Sequence, residues 1–200
     1  MNIEQARFNM IEQQIRPWDV LDPAVLSLLA VVKREDFVPP AYRAMAFMDT
    51  EIPLPDGQCM LAPRVEARLL QELQLQRHES VLEIGAGSGF MAALLAHRSR
   101  QVLSLEIHPA LAQMAQDNLR GAAVMNATVR CADGSLGAAG EAPFDAIVLS
   151  GSVAAVPQAL LEQLKVGGRL VAIVGDEPVM RARLLTTILV CRDSQGMGMR

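Results

Sequence analysis

Ser80-Val81-Leu82-Glu83-Ile84-Gly85-Ala86-Gly87-Ser88-Gly89-Phe90 is the stretch that decides how the rest of the chain is read. Its first five residues have the pattern of a short strand. They run into three glycines separated by single residues, and the glycines run into a helical pattern over residues 91–96. A strand, a tight turn and a helix in that order make the ligand-binding corner of a doubly wound sheet, because glycine lets the backbone turn sharply and approach a ligand without a Cβ in the way. Two familiar nucleotide readings fail here. The dinucleotide fingerprint needs Gly or Ala where Phe90 stands, and the Lys-Ser/Thr ending of a phosphate loop is absent. What remains is an acid, Glu83, followed by the alternating glycines Gly85, Gly87 and Gly89. A carboxylate that close to the turn is suited to hold the ammonium group of an amino-acid-bearing cofactor, directly or through water.

Downstream, short apolar runs alternate with helical segments over residues 81–84, 91–96, 102–107, 111–119, 128–131, 146–149, 156–164 and 170–174. That alternation predicts an α/β fold with a mostly parallel sheet covered on both faces. Gly167-Gly168 is expected as the cap of a helix ending at Lys165, and the run from Leu184 to Val190 as a closing strand before a polar Ser194-Gln195-Gly196 end. The second strand finishes in Ser104-Leu105-Glu106, 23 positions beyond Glu83. An acid at roughly that offset of about 20 residues meets a ribose in such folds, so Glu106 is expected on the ribose hydroxyls. The third strand finishes in Cys131-Ala132-Asp133-Gly134, which puts a carboxylate and a flexible glycine beside the same crevice, where an adenine amino group can be recognised. An ammonium, a ribose and an adenine occur together in S-adenosylmethionine.

Upstream, residues 3–15 are apolar at helical spacing, and Pro17 ends the pattern. Asp22 stands before Pro23 as the cap of a second helix reaching Val32. Pro39, Pro40, Pro53, Pro55, Pro63 and Gly57 exclude long regular elements from residues 38–63 and predict an ordered connection. Val65, Leu69, Leu70 and Leu73 then form one helical stripe, with Arg64, Glu66, Arg68, Gln71 and Glu72 expected on the opposite, solvated face. The whole reads as one domain. Residues 1–78 supply N-terminal helices and a substrate-side loop, and residues 79–200 a Rossmann-like cofactor core.

Composition excludes several classes. Lys and Arg total 18 against 22 Asp and Glu, a net charge of −4, so no broad cationic face for nucleic acid is expected. Cys59, Cys131 and Cys191 are far apart with no CxxC pair, which predicts neither a disulfide framework nor a thiolate metal site and suits a reducing cytoplasm. No apolar run approaches the roughly 20 residues that span a bilayer, so neither anchor nor export signal is expected. His78, His97 and His108 lie singly and read as surface residues without metal-ligand spacing. Cys59 has no histidine placed by sequence to activate it and reads as a packed or cofactor-lining thiol. Trp18 and Phe37 read as core or interface anchors.

Several motifs together resemble the protein-L-isoaspartate O-methyltransferase family from about Met10 to Gly175. They are Lys33-Arg34-Glu35-Asp36-Phe37-Val38-Pro39, Ile52-Pro53-Leu54 before Gly57-Gln58, the glycine turn through Phe90, Asp133-Gly134-Ser135-Leu136-Gly137, Ala142-Pro143-Phe144-Asp145-Ala146-Ile147 and the stretch from Gln163 to Val171. The resemblance implies a class I S-adenosylmethionine-dependent methyltransferase fold with an N-terminal helical cap. It implies a cytoplasmic repair enzyme that methylates the free carboxylate of isoaspartyl residues in damaged proteins. That chemistry needs no general base, because a carboxylate is already ionised at neutral pH. The resemblance also places Cys59, Met60, Leu61, Ile107 and Ser150 beside the cofactor, and Glu66 where some members carry histidine. One departure concerns Leu61, which occupies the position of a family serine at the transfer site and cannot donate a hydrogen bond to an acceptor. A methyltransferase for a different acceptor and a non-enzymatic S-adenosylmethionine-binding module are therefore the alternative readings.

Overall fold

The computed structural model describes residues 2–176 and 178–187. A six-stranded sheet runs in the order β5-β4-β3-β6-β7-β8, built from β3 (Ser80–Ile84), β4 (Gln101–Glu106), β5 (Ala127–Cys131), β6 (Phe144–Val153), β7 (Leu164–Asp176) and β8 (Val179–Thr186). The first five of these strands pair in parallel, and β8 returns antiparallel along β7. Alternate residues feed two cores. Val81, Val102, Val148 and Val171 face one, while Leu82, Leu105, Ile147 and Leu170 face the other, as burial on both faces of a parallel sheet requires. The chain leaves β3 for β4 on one side and comes back from β5 to β6 on the other, so the carboxyl ends of β3 and β6 flank a topological switch point, where such sheets bind ligands.

The first core is closed by α1 (Ile3–Met10), α2 (Pro23–Val31), α3 (Pro63–Leu73), α4 (Phe90–Arg98) and α5 (Pro109–Gly121). The Asp22 carboxylate accepts from the Ala24 amide at 2.8 Å and caps α2 as its sequence indicates. The N-terminal helix is shorter than its apolar pattern. It is regular only to Met10, continues as a wide turn over Ile11–Ile15 and tightens at Arg16–Trp18, where Pro17 cannot donate to a regular ladder. Between α2 and α3 the proline-rich connection is a series of tight turns and the small antiparallel hairpin of β1 (Ile52–Pro53) and β2 (Cys59–Met60).

Three local expectations are corrected. The helix before Gly167-Gly168 is only α6 (Gln158–Leu161), and Leu164 already belongs to β7. The glycines form a bulge instead of a cap: Phe144 pairs with Leu164 but Ala146 pairs with Arg169, so the extra residues of β7 loop outward. A side chain at Gly168 would lie 2.7 Å from the Lys165 carbonyl oxygen. The closing strand starts at Val179, earlier than the apolar run, because hydrogen bonds from β7 and not apolarity define it; residues 188–190 of the expected strand lie outside the described residues. Glu66 is buried, not solvated. Positions 66, 69, 70 and 73 share one helical face, so the spacing of α3 carries Glu66 inward with the leucines. Phe37 is buried and meets the Phe90 ring edge-on at 5.5 Å, while Trp18 stays half exposed under the Arg64 guanidinium at 3.9 Å.

Candidate active site

The glycine turn follows from strand and helix placement. Gly89 has φ +83°, and a Cβ there would sit 3.1 Å from the Ala115 backbone of α5, so this residue both reverses the chain and lets two helices close on each other. The Gly85 amide donates to the Leu105 carbonyl at 2.8 Å and the Gly87 amide to Glu106 Oε2 at 2.9 Å. The other Glu106 oxygen accepts from the His108 amide at 3.0 Å. Two backbone donors thus fix the Glu106 carboxylate at the end of β4 while lone pairs remain free for a ligand.

These residues border a cleft of about 310 Å³, of a size for a small organic ligand. Cys59, Gly85, Gly87, Glu106, Ile107, Asp133, Gly134 and Ser150 all line it. Met60 and Leu61 line a smaller chamber of about 30 Å³ that shares Cys59, Gly85, Gly87 and Ser150 with the main cleft. Glu83 and Gly89 line neither. Among residues with no role in the sequence reading, Gln58, His108, Ser152 and Leu160 also border the cleft. A histidine two positions after Glu106 and an exposed serine two positions after Ser150 carry no pattern of their own; only their place at strand ends reveals them.

The buried acids behave differently from one another. Glu83 is fully buried; its Oε1 accepts from Ser150 Oγ at 2.8 Å and its Oε2 from Ser104 Oγ. Burial pushes its carboxyl up to about 7, against these hydrogen bonds, and the charges of Glu66 and Glu106 push the same way. Its place is behind the turn, tying β3 to β4 and β6. Asp133 is exposed, and its Oδ1 accepts from the Ser135 amide at 2.8 Å, which holds its carboxyl below the usual range. Asp145, part of the Ala-Pro-Phe-Asp motif, accepts from the Ser80 amide and hydroxyl and from Lys165 Nζ. Burial opposes its ionisation, but these partners outweigh it and hold its carboxyl low. This motif therefore braces the sheet away from the cleft.

The wall that carries Leu61 and Glu66 is held by Arg34. Its guanidinium donates to the Ala46 carbonyl at 3.1 Å, to the Leu61 carbonyl at 2.7 Å and to Glu66, and lies 4.9 Å from the Phe90 ring centre. Both partners of the Arg34–Glu66 pair are almost fully buried. Burial pushes the Glu66 carboxyl up to about 7 against the attraction of Arg34. Cys59 is exposed with its Sγ 3.5 Å from Glu51; partial burial and that carboxylate push its thiol up, the opposite of an activated nucleophile. Among the described residues no group of three or more His, Cys, Asp or Glu is placed to hold a metal ion, and no helix is long and apolar enough to cross a membrane.

The order of the strands and the crevice beyond β3, β4 and β6 are those of the class I S-adenosylmethionine-dependent methyltransferases. Within that class the chain belongs to a family whose model, described as protein-L-isoaspartate(D-aspartate) O-methyltransferase, matches residues 5–187. It is 44% identical to the protein-L-isoaspartate O-methyltransferase of Herpetosiphon aurantiacus, over 86% of this chain and 77% of that protein. It is 43% identical to protein-L-isoaspartate O-methyltransferase 1 of Syntrophobacter fumaroxidans, over 88% of this chain and 82% of that protein. The fold agrees with a solved protein-L-isoaspartate O-methyltransferase at TM-score 0.79 and 23% identity, covering 91% of this chain and 60% of that one. A Plasmodium falciparum chain described as a protein-L-isoaspartate O-methyltransferase, in complex with S-adenosyl-L-homocysteine, agrees at TM-score 0.76 and 19% identity, over 94% of this chain and 90% of that one.

Proposed function

We propose that this protein transfers a methyl group from S-adenosylmethionine to the free carboxylate of isoaspartyl residues in damaged proteins. The observation that carries the proposal is the meeting, around a main cleft and the small chamber beside it in a chain of this family, of the glycine turn, the Glu106 carboxylate and the Cys59–Leu61 segment. Glu106, already oriented by the Gly87 and His108 amides, takes the ribose hydroxyls. Ile107 and Leu160 offer apolar surface to the base, and Asp133 and Gly134 border its amino edge. When bound, S-adenosylmethionine supplies an electrophilic methyl on its sulfonium. The protein's own task is alignment and exclusion of water, since the acceptor carboxylate is ionised at neutral pH and needs no base. Arg34 contributes by fixing the Leu61 carbonyl, and with it the acceptor edge of the cleft. The exposed free thiols Cys59 and Cys131 support a reducing, cytoplasmic setting.

The test is transfer of labelled methyl to an isoaspartyl peptide and to its aspartyl twin. Labelling of the isoaspartyl form alone is expected, and equal labelling of the two overturns the proposal. A second reading, an acceptor other than isoaspartate, is favoured by Leu61: no hydroxyl stands where the family serine would meet the carboxylate. In that case the isoaspartyl peptide stays unlabelled while an acceptor screen finds turnover.

A further inference from the structure

Three carboxylates surround the glycine turn, and their commitments differ. Glu83 lines no cavity and both of its oxygens accept serine hydroxyls. Glu106 lines the main cleft and is held by two amides. Glu66 lines the small chamber, is 3% exposed, and makes a single hydrogen bond, through Oε2 from Arg34. Its Oε1 is left for a ligand. We infer that Glu66, and not Glu83, is the carboxylate that receives the ammonium group at the amino-acid end of the cofactor, in the small chamber beside the main cleft.

The inference rests on the S-adenosylmethionine reading above and specifies which residue reads one end of that molecule. Charge is the first argument. Among the described residues Arg34 is the one cation in contact with this trio, and its donors are already directed to Ala46, Glu66 and Leu61. Burial, the larger cause, pushes the carboxyls of Glu66 and Glu83 both up to about 7, Arg34 opposing it at Glu66, so a further cation beside Glu66 would favour its ionised form. A buried acid is stabilised by a cation far more than a solvated one is, so an ammonium is favoured here and a carboxylate is not. Size is the second argument. About 30 Å³ is room for one group as small as a water or an ammonium, and too little for a ring. Position is the third, because the chamber shares Gly85, Gly87, Cys59 and Ser150 with the cleft that would hold the nucleoside.

The experiment is calorimetric titration of the full chain with S-adenosylhomocysteine, its deaminated analogue and 5′-methylthioadenosine. Wild type is expected to bind S-adenosylhomocysteine about tenfold to a hundredfold more tightly than the deaminated analogue, the range of one charge-assisted hydrogen bond. Glu66→Gln is expected to bind the two within about threefold of each other, and the deaminated analogue as wild type does. Wild-type discrimination that survives in Glu66→Gln, or no discrimination in wild type, overturns the inference. If Glu66→Gln does not fold, Arg34→Met with Glu66→Gln removes both charges and carries the same comparison, with the same expected and overturning outcomes. Failure of all three ligands to bind wild type overturns the cofactor reading itself, a result distinct from binding without discrimination.

Discussion

The two sides of the cleft are built by opposite means. The cofactor side consists of strand ends and the turn after β3, held by backbone amides: Gly85 donates to the Leu105 carbonyl on the neighbouring strand, and Gly87 and His108 donate to the Glu106 carboxylate. The opposite side consists of short turns and a hairpin of two-residue strands, and a single buried side chain, Arg34, ties residues 34, 46, 61 and 66 together. A wall made of sheet inherits its rigidity from the sheet. A wall made of loops depends on a few side-chain ties, Arg34 the most connected of them, beside Arg7–Glu35 and Arg64–Asp49.

That contrast is most sharply broken at Arg34. Arg34→Met leaves Glu66 buried without its partner and is expected to cost about 3–5 kcal/mol of stability, measured by chemical denaturation; adding Glu66→Leu should recover much of the loss. On the opposite wall, Gly89→Ala combines a left-handed φ with a Cβ 3.1 Å from the Ala115 backbone and is expected to cost about 2–4 kcal/mol while weakening cofactor binding. Removal of the carboxylate at the end of β4 acts on binding and also takes the acceptor from the Gly87 and His108 amides. Glu106→Ala should weaken S-adenosylmethionine by about 1.5–3 kcal/mol in calorimetry and also lower the unfolding midpoint, because two amides lose their acceptor; unchanged affinity would separate Glu106 from the ribose.

Smaller effects sharpen the comparison further. Leu61→Ser returns a hydroxyl to the acceptor side and is expected to raise kcat/KM for an isoaspartyl peptide by about tenfold, one hydrogen bond to a charged group at the lower end of its range. Unchanged kcat/KM would place recognition of the acceptor elsewhere. Stability should also fall from pH 5 to pH 7. Glu66 and Glu83 are raised to about 7 in the folded chain, so in this window the folded state holds protons that the unfolded state has released, and the folded state loses ground as pH rises. Asp145 and Glu79 are lowered and act only below this window. Glu83→Gln should flatten the profile measured by denaturation across these pH values.

Much of the cofactor side was legible because its signals are local. A glycine turn flanked by a strand and a helix needs only neighbouring residues to be recognised, and Glu106 is found by its offset from that turn. The resemblance to the methyltransferase family rested on motifs of the same local kind. Glu83 shows the boundary of that legibility. Its proximity to the turn in sequence suggested contact with a ligand, directly or through water, while the hydroxyls that it meets in the fold, Ser104 and Ser150, lie 21 and 67 positions away, beyond the reach of any local pattern.

By itself, then, the sequence determined the alternating α/β order, the switch-point turn and the acid at the end of β4, since each depends on backbone preferences and periodicity within a few residues. Tertiary structure alone decided that Glu66 lies inside with Arg34, that Gly167 and Gly168 form a bulge, that Asp145 braces the sheet and that β8 pairs with β7. Those outcomes depend on which distant groups satisfy a buried charge or a free backbone edge. A buried carboxylate takes the nearest available donor wherever the chain delivers it, and sequence spacing does not record that distance.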